Sequence, residues 1–207
     1  MGCVLVHGLG QTAESWKAVA FSLNRADIFC PNLYDLTKDK SLSYDSLYLG
    51  FSDYCSGLDG AIDLCGLSLG GVLSLNFALD HPEKVRTLVL IAAQYRMPKH
   101  ILRLQNILFR LMPKGMFALT GFSRKDMISL CASMTELDFS GSLPKIHCPV
   151  LIICGKKDTA NSRASETLAE HISSAQLATV PGSGHEVNLD APEQLADLLQ
   201  SFYNATL

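Results

Sequence analysis

Three side chains in this chain of 207 residues have the types and settings that acyl-transfer chemistry requires: a serine between glycines, a carboxylate and a histidine. The stretch Gly66-Leu67-Ser68-Leu69-Gly70-Gly71 follows the run Ala61 to Cys65 directly and precedes the apolar run Val72 to Leu79. If the first run is a strand and the second a helix, Ser68 occupies a turn too tight for ordinary residues, and its hydroxyl stands exposed at the end of a sheet. In that context G-x-S-x-G reads as a nucleophile elbow, and the following helix N-terminus offers N–H groups to developing negative charge. Reading Ser68 as a plain helix N-cap leaves the flanking glycines unexplained.

A serine hydroxyl is a weak nucleophile and needs a base that is itself held by a carboxylate. Downstream, "VLIICGKKDTAN" places Asp158 just past a strand-like run, and "VPGSGHEVNLDAPEQL" places His185 in a glycine-bounded loop between the next strand and the last helix. Both project from the same edge of a sheet as Ser68. Other histidines suit the base less well: His81 and His171 lie at helix ends, and His100 and His147 lie near the limits of the region from 94 to 147. The run "LVLIAAQYR" offers no carboxylate after its strand, and Asp190 reads as the N-cap of the last helix, whose first turn contains Pro192.

Short aliphatic runs alternate with longer amphipathic ones, which supplies the elements that position these groups. Cys3 to Val6, Asp27 to Cys30, Ala61 to Gly66, Thr87 to Ala92, Val150 to Cys154 and Gln176 to Val180 read as strands. Ser15 to Leu23, Tyr44 to Cys55, Leu69 to Leu79, Ser162 to His171 and Pro192 to Tyr203 read as helices. Such alternation implies an α/β fold with a mostly parallel sheet covered on both faces, whose ligands bind at the carboxyl ends of the strands. From 94 to 147 no strand is convincing, while Ile101, Leu104, Ile107, Leu108 and Leu111 keep helical spacing. A single domain over 1–207 with a small helical cap at 94–147 is expected.

Composition narrows the partners. With 48% hydrophobic and 18% charged residues, and a mean hydropathy of +0.19, the chain can bury a full core. The net charge of −3 comes from 17 basic and 20 acidic side chains with no block of either sign, which argues against a nucleic-acid or membrane surface and for a small-molecule substrate. Seven cysteines without a C-x-x-C pair read as reduced, buried thiols of a cytoplasmic protein. The start "MGCVLVHGLGQ" lacks signal-peptide features, and Val6 stands where a myristoylation motif needs Ser or Thr. No H-E-x-x-H, P-loop or ligand-spaced histidine pair occurs, so neither metal nor cofactor is expected.

Four blocks, "VHGLGQTAESW", "GLSLGGVLSLNFALDHPEKVRTLVLIAA", "CPVLIICGKKD" and "PGSGHEVNLDAPEQLADLL", stand in an order that resembles the α/β-hydrolase superfamily over most of the chain. The resemblance implies Ser68 as nucleophile, Asp158 as orienting acid and His185 as general base. It also implies an oxyanion hole from the backbone N–H groups of Leu9, in His7-Gly8-Leu9-Gly10, and Leu69. His7 is then a structural residue that positions the loop. Gly8 to Ala13 also fits the dinucleotide fingerprint G-x-G-x-x-A, but "ADIFCPNLYDL" does not end its strand on the required acid. The chain starts at the strand leading into "HGLG", without the hairpin that opens the fold in relatives. About six strands, in the order 4-3-5-6-7-8 by family numbering, are therefore expected, with an edge strand in solvent that raises the expectation of a homodimer.

Serine at the elbow disfavours the dehalogenase and epoxide-hydrolase branches, which need a carboxylate there. The blocks look most like small carboxylesterases of the pimeloyl-carrier-protein methyl ester esterase type, which implies cleavage of an ester or thioester through an acyl-enzyme. Phe109, Met112, Met116 and Phe117 in the cap suit an acyl chain, although they serve equally to pack the cap on the core. Menaquinone-pathway synthases resemble the same esterases and use a similar triad for carbon–carbon lyase chemistry. Their anionic substrate needs cations such as Arg96, Lys99, Arg103, Arg110, Lys114, Arg124 and Lys125. A ligand-binding member of the fold without turnover is the non-enzymatic alternative.

Overall fold

A computed structural model of the chain describes residues 2–37, 42–97, 99, 102, 107, 109 and 121–206. Six strands, β1 (Cys3–Val6), β2 (Ile28–Phe29), β3 (Ile62–Leu67), β4 (Val85–Ile91), β5 (Val150–Gly155) and β6 (Ala175–Val180), form one sheet in the order β2-β1-β3-β4-β5-β6. Every neighbouring pair is parallel, with Leu5 opposite Cys65, Cys65 opposite Val89 and Val89 opposite Leu151. Both the strand number and the order match the expectation from the sequence.

Alternation along the strands separates two cores. Val4, Val6, Ile62, Leu64, Leu88, Leu90, Val150 and Ile152 face one way, onto Leu47 and Phe51 of α2 (Tyr44–Ser56) and Leu73 and Phe77 of α3 (Leu69–Asp80). Leu5, Cys65, Leu67, Val89, Ile91, Leu151 and Ile153 face the other way. They meet Val19 and Leu23 of α1 (Lys17–Leu23), Trp16, and, near the carboxyl terminus, Leu195, Leu199 and Phe202. A parallel sheet buried on both faces needs apolar residues at successive positions, which is why β1, β3 and β5 are buried throughout. β2 covers only two of the four residues expected, as a short edge strand that limits unpaired backbone.

The predicted first helix divides into a 3₁₀ turn at Ala13–Trp16 and α1. Between β4 and β5 stand α4 (Arg124–Ser133), entered through a capping box of Ser123 and Asp126, and a 3₁₀ turn at Ser140–Lys145. This segment also holds pairing that its sequence does not suggest. Arg96 and Asp138 form an antiparallel bridge, with Met97 N–H donating to Leu137 O at 3.0 Å and Phe139 N–H to Tyr95 O at 2.8 Å. After β5 come α5 (Thr159–His171), β6, the short α6 (Val187–Asp190) and α7 (Pro192–Ala205). Among the described residues, no helix is long and apolar enough to cross a membrane.

One buried charge lies at the amino ends of the strands. Asp63, fully buried in β3, accepts from Arg25 Nη1 at 3.0 Å and Thr87 Oγ1 at 2.7 Å, and pairs with Arg86. Removing a partner from such a group costs about 3–5 kcal/mol, because the remaining charge stays out of water. The cluster sits at the end of the sheet opposite Ser68, so it serves the framework.

Candidate active site

Ser68 joins β3 to α3 with φ 54° and ψ −115°, a backbone conformation that a non-glycine residue holds only where its surroundings enforce it. The enforcement is visible. Ser68 N–H donates to Ile91 O of β4 at 2.8 Å, and Ser68 O accepts from Val72 N–H at 3.0 Å. A Cβ on Gly70 would lie 2.3 Å from Val6 O, so only glycine lets the first turn of α3 lie against the end of β1. The Ser68 side chain makes no capping hydrogen bond and instead lines a cavity of about 320 Å³.

Asp158 follows β5 and caps α5, its Oδ1 accepting from Asn161 N–H at 3.3 Å. Its other oxygen, Oδ2, lies 2.9 Å from His185 Nδ1. The approach of the two loops depends on Gly155, where a Cβ would lie 2.1 Å from Gly184 O. A carboxylate can only accept, so Nδ1 carries the proton and Nε2 presents its lone pair, the tautomer a general base requires. Asp158 is buried, whereas the His185 side chain is 44% exposed and also lines the cavity. Asp190 does not cap α7, whose N-cap is Ala191. It ends α6 and accepts from Gly184 N–H at 2.7 Å, steadying the turn before His185. The sequence pattern missed this because α6 is only four residues long.

The loop after β1 is held from two directions. His7 Nε2 accepts from Leu33 N–H at 3.0 Å, and His7 Nδ1 donates to Gly8 O at 2.9 Å, so both ring nitrogens are used within the framework. Burial pushes the His7 pKa below its ordinary value of 6.5, in keeping with a neutral ring. Gln11 Oε1 accepts from Gly8 N–H at 3.4 Å and Asn188 Nδ2 at 3.2 Å, while its Nε2 donates to Glu186 Oε1 at 3.0 Å. Gln11 thus ties the loop bearing Leu9 to the loop bearing His185, a role that no local pattern signalled. Leu69 occupies the first position of α3, where the N–H has no intrahelical acceptor, and both Leu9 and Leu69 line the cavity.

The rest of the cavity wall comes from Val72 and Ala92, from Gln94, Met97, Leu102, Cys131 and Met134 of the segment 94–147, and from Ala160 and Asn161. Among these described lining residues there is no Lys, Arg, Asp or Glu. Phe109 is half-buried and packs against the α2–α3 side of the core, while Met112, Met116 and Phe117 lie outside the described residues. Arg103, Arg110 and Lys114 also lie outside them; Arg96 pairs with Asp138 at 3.1 Å and Lys99 with Glu136 at 2.6 Å. Asn161 and Gln94 were not anticipated as site residues. Asn161 had one legible signal, its place three residues after a helix-capping aspartate. Among the described residues, no three His, Cys, Asp or Glu side chains are grouped to hold a metal ion.

Comparison with known proteins gives the family and the fold. The family described as the alpha/beta hydrolase family matches residues 3–198. A pimeloyl-[acyl-carrier protein] methyl ester esterase of Nitrosomonas europaea is 24% identical, over 92% of this chain and 91% of that protein. Among solved structures, an esterase from Exiguobacterium antarcticum superposes with a TM-score of 0.82 at 18% identity, covering 99% of this chain and 92% of that one. MenH from S. aureus superposes with a TM-score of 0.81 at 13% identity, covering 100% and 93%. At these identities the two structures speak for the fold alone.

Proposed function

The chain belongs to the alpha/beta hydrolase family, and from that premise we propose that it is a serine hydrolase that cleaves a carboxylic ester through Ser68, His185 and Asp158. The observation that carries the reading is the 2.9 Å Asp158–His185 contact beside a cavity that the strained Ser68 also lines. In the proposed cycle His185 Nε2 takes the Ser68 proton as Oγ attacks the acyl carbon. The tetrahedral oxyanion is received by the N–H groups of Leu9 and Leu69, donors worth on the order of 3 kcal/mol each in transition-state stabilisation. His185 then returns the proton to the leaving alkoxide, and water activated by the same ring releases the acid and restores Ser68.

The lining favours a neutral, apolar acyl group of modest size, with the segment 94–147 as a cap over it. A multiply anionic lyase substrate finds no support in the described lining, which carries no cation. The test is a fluorophosphonate probe with peptide mapping, followed by p-nitrophenyl esters of increasing acyl length. An adduct on Ser68 with turnover of the shorter esters is expected. An adduct elsewhere, or labelling without turnover of any ester, would overturn the esterase reading.

A further inference from the structure

The Asp158–His185 pair has a third member that the cycle above does not use. Asn161, buried on the first turn of α5, donates from Nδ2 to Asp158 Oδ1 at 2.9 Å and to Oδ2 at 2.8 Å. Its Oδ1 accepts from Gln94 Nε2 at 2.7 Å. The orientation of the amide follows from chemistry: the carboxylate can only accept, so the Asn161 nitrogen faces it, and the oxygen is left for the Gln94 donor. The array runs from the end of β4, through Gln94 and Asn161, to the carboxylate and the imidazole.

We propose that Asn161 is a positioning residue of the proposed triad, holding the Asp158 carboxylate in the rotation that presents Oδ2 to His185, and that Gln94 in turn fixes the Asn161 amide. The inference rests on the serine-hydrolase reading. Without the amide, Oδ1 keeps only the long 3.3 Å bond from the Asn161 backbone, and Oδ2 keeps only His185. The carboxylate is then free to turn about its last side-chain torsion, and the imidazole loses its fixed partner. The Asn161 nitrogen also lies 3.1 Å from His185 Nδ1, so both donors converge on Oδ2 from adjacent directions and define where the ring can sit. Because the backbone cap of α5 does not involve the side chain, removing the amide leaves the helix start intact.

Kinetics of p-nitrophenyl butyrate hydrolysis by the full chain test this, using Asn161→Ala, Gln94→Ala, Asp158→Asn and the double variant Asp158→Asn/Asn161→Ala. Asn161→Ala should lower kcat by roughly 10- to 100-fold, the range that a hydrogen bond to a charged group supplies, with KM within about threefold. In the Asp158→Asn background the same change should cost less than about threefold, since Asn161 acts through the carboxylate. Gln94→Ala should lower kcat by roughly 3- to 10-fold through the loosened amide. It stands in for Asn161→Ala, with the same double-variant comparison, if that protein does not fold. A rise in KM at constant kcat would make Asn161 a substrate contact, and equal losses in both backgrounds would make it merely structural; either overturns the proposal. Wild-type turnover that survives Ser68→Ala, or no turnover at all, would instead overturn the serine-hydrolase reading and this inference with it.

Discussion

Replacing Asp158 by Asn keeps the shape of the side chain and changes the proton on His185. The substituted oxygen has two places to go. At the Oδ1 position it accepts from the Asn161 backbone at 3.3 Å and from Nδ2 at 2.9 Å, and the new NH₂ then faces His185 Nδ1 at 2.9 Å. In the opposite orientation the NH₂ meets the Asn161 backbone N–H, which keeps only the longer 3.4 Å contact to Asp158 O, while Asn161 Nδ2 lies within 2.9 Å of both positions and does not distinguish them. At about 1–3 kcal/mol for an unsatisfied buried donor, the first orientation is preferred by roughly that amount, through the backbone N–H of Asn161. It forces Nδ1 to accept, moves the ring proton to Nε2, and leaves Ser68 facing a donor instead of a base. Loss of the carboxylate opposite the imidazolium acts in the same direction. Together these lower kcat by about 10³- to 10⁴-fold, or ~4–5.5 kcal/mol, comparable to the same change in other triads. Steady-state hydrolysis of p-nitrophenyl butyrate at pH 7.5 reads the effect, with a thermal melt to show that the fold is retained. A loss below about tenfold would refute the assignment of Asp158 as the acid that sets the His185 tautomer.

Ser68→Ala should abolish ester turnover and fluorophosphonate labelling while the thermal midpoint moves by no more than about 4 °C; retained turnover would move the nucleophile elsewhere. Gly155→Ala places a Cβ 2.1 Å from Gly184 O, which must push the β5 end away from the His185 loop. We expect about 1–3 kcal/mol of destabilisation, a midpoint lower by roughly 3–10 °C and a reduced kcat, whereas wild-type values of both would show that the two loops do not need this approach. His7 has its folded pKa lowered from 6.5 by burial, so below pH 6.5 the unfolded chain binds the proton more readily than the folded one. Stability is therefore lost as pH falls through that value towards the lowered folded one, by at most about 1.4 kcal/mol per pH unit from this group. Urea midpoints at pH 5.5 and 7.5 should differ less in His7→Asn than in the wild type, and an unchanged difference would remove His7 as the source.

Much of the fold was legible because its signals are local. A parallel sheet buried on both faces demands unbroken aliphatic runs, so β1, β3 and β5 appear directly in the sequence, and the start of α3 is marked by the glycines around Ser68. Elements that depend on distant partners were not legible. β2 is short because it is an edge, and the Arg96–Asp138 bridge joins residues with the segment between them intervening. The boundary of α5 fell three residues earlier than helical periodicity suggested, since Asp158 both caps the helix and faces His185. The cavity wall followed the same rule: Val72, Met97, Cys131 and Met134 meet across three separate stretches, and no spacing connects them.

The sequence by itself determined the fold class and the three residues proposed for the chemistry, because alternating runs, an elbow, a post-strand acid and a glycine-bounded histidine each leave a short-range pattern, while the strand order was implied by the family resemblance. Tertiary structure alone decided what holds those residues in place. Gln94, after β4, meets Asn161, after the neighbouring β5, Gln11 binds the loop after β1 to the loop after β6, and Asp63 is neutralised by Arg25 and Arg86 from neighbouring elements. These are hydrogen bonds and ion pairs between polar groups far apart in the chain. A buried polar group must find a partner wherever the packed fold supplies one, and no periodicity in the sequence records which partner that is.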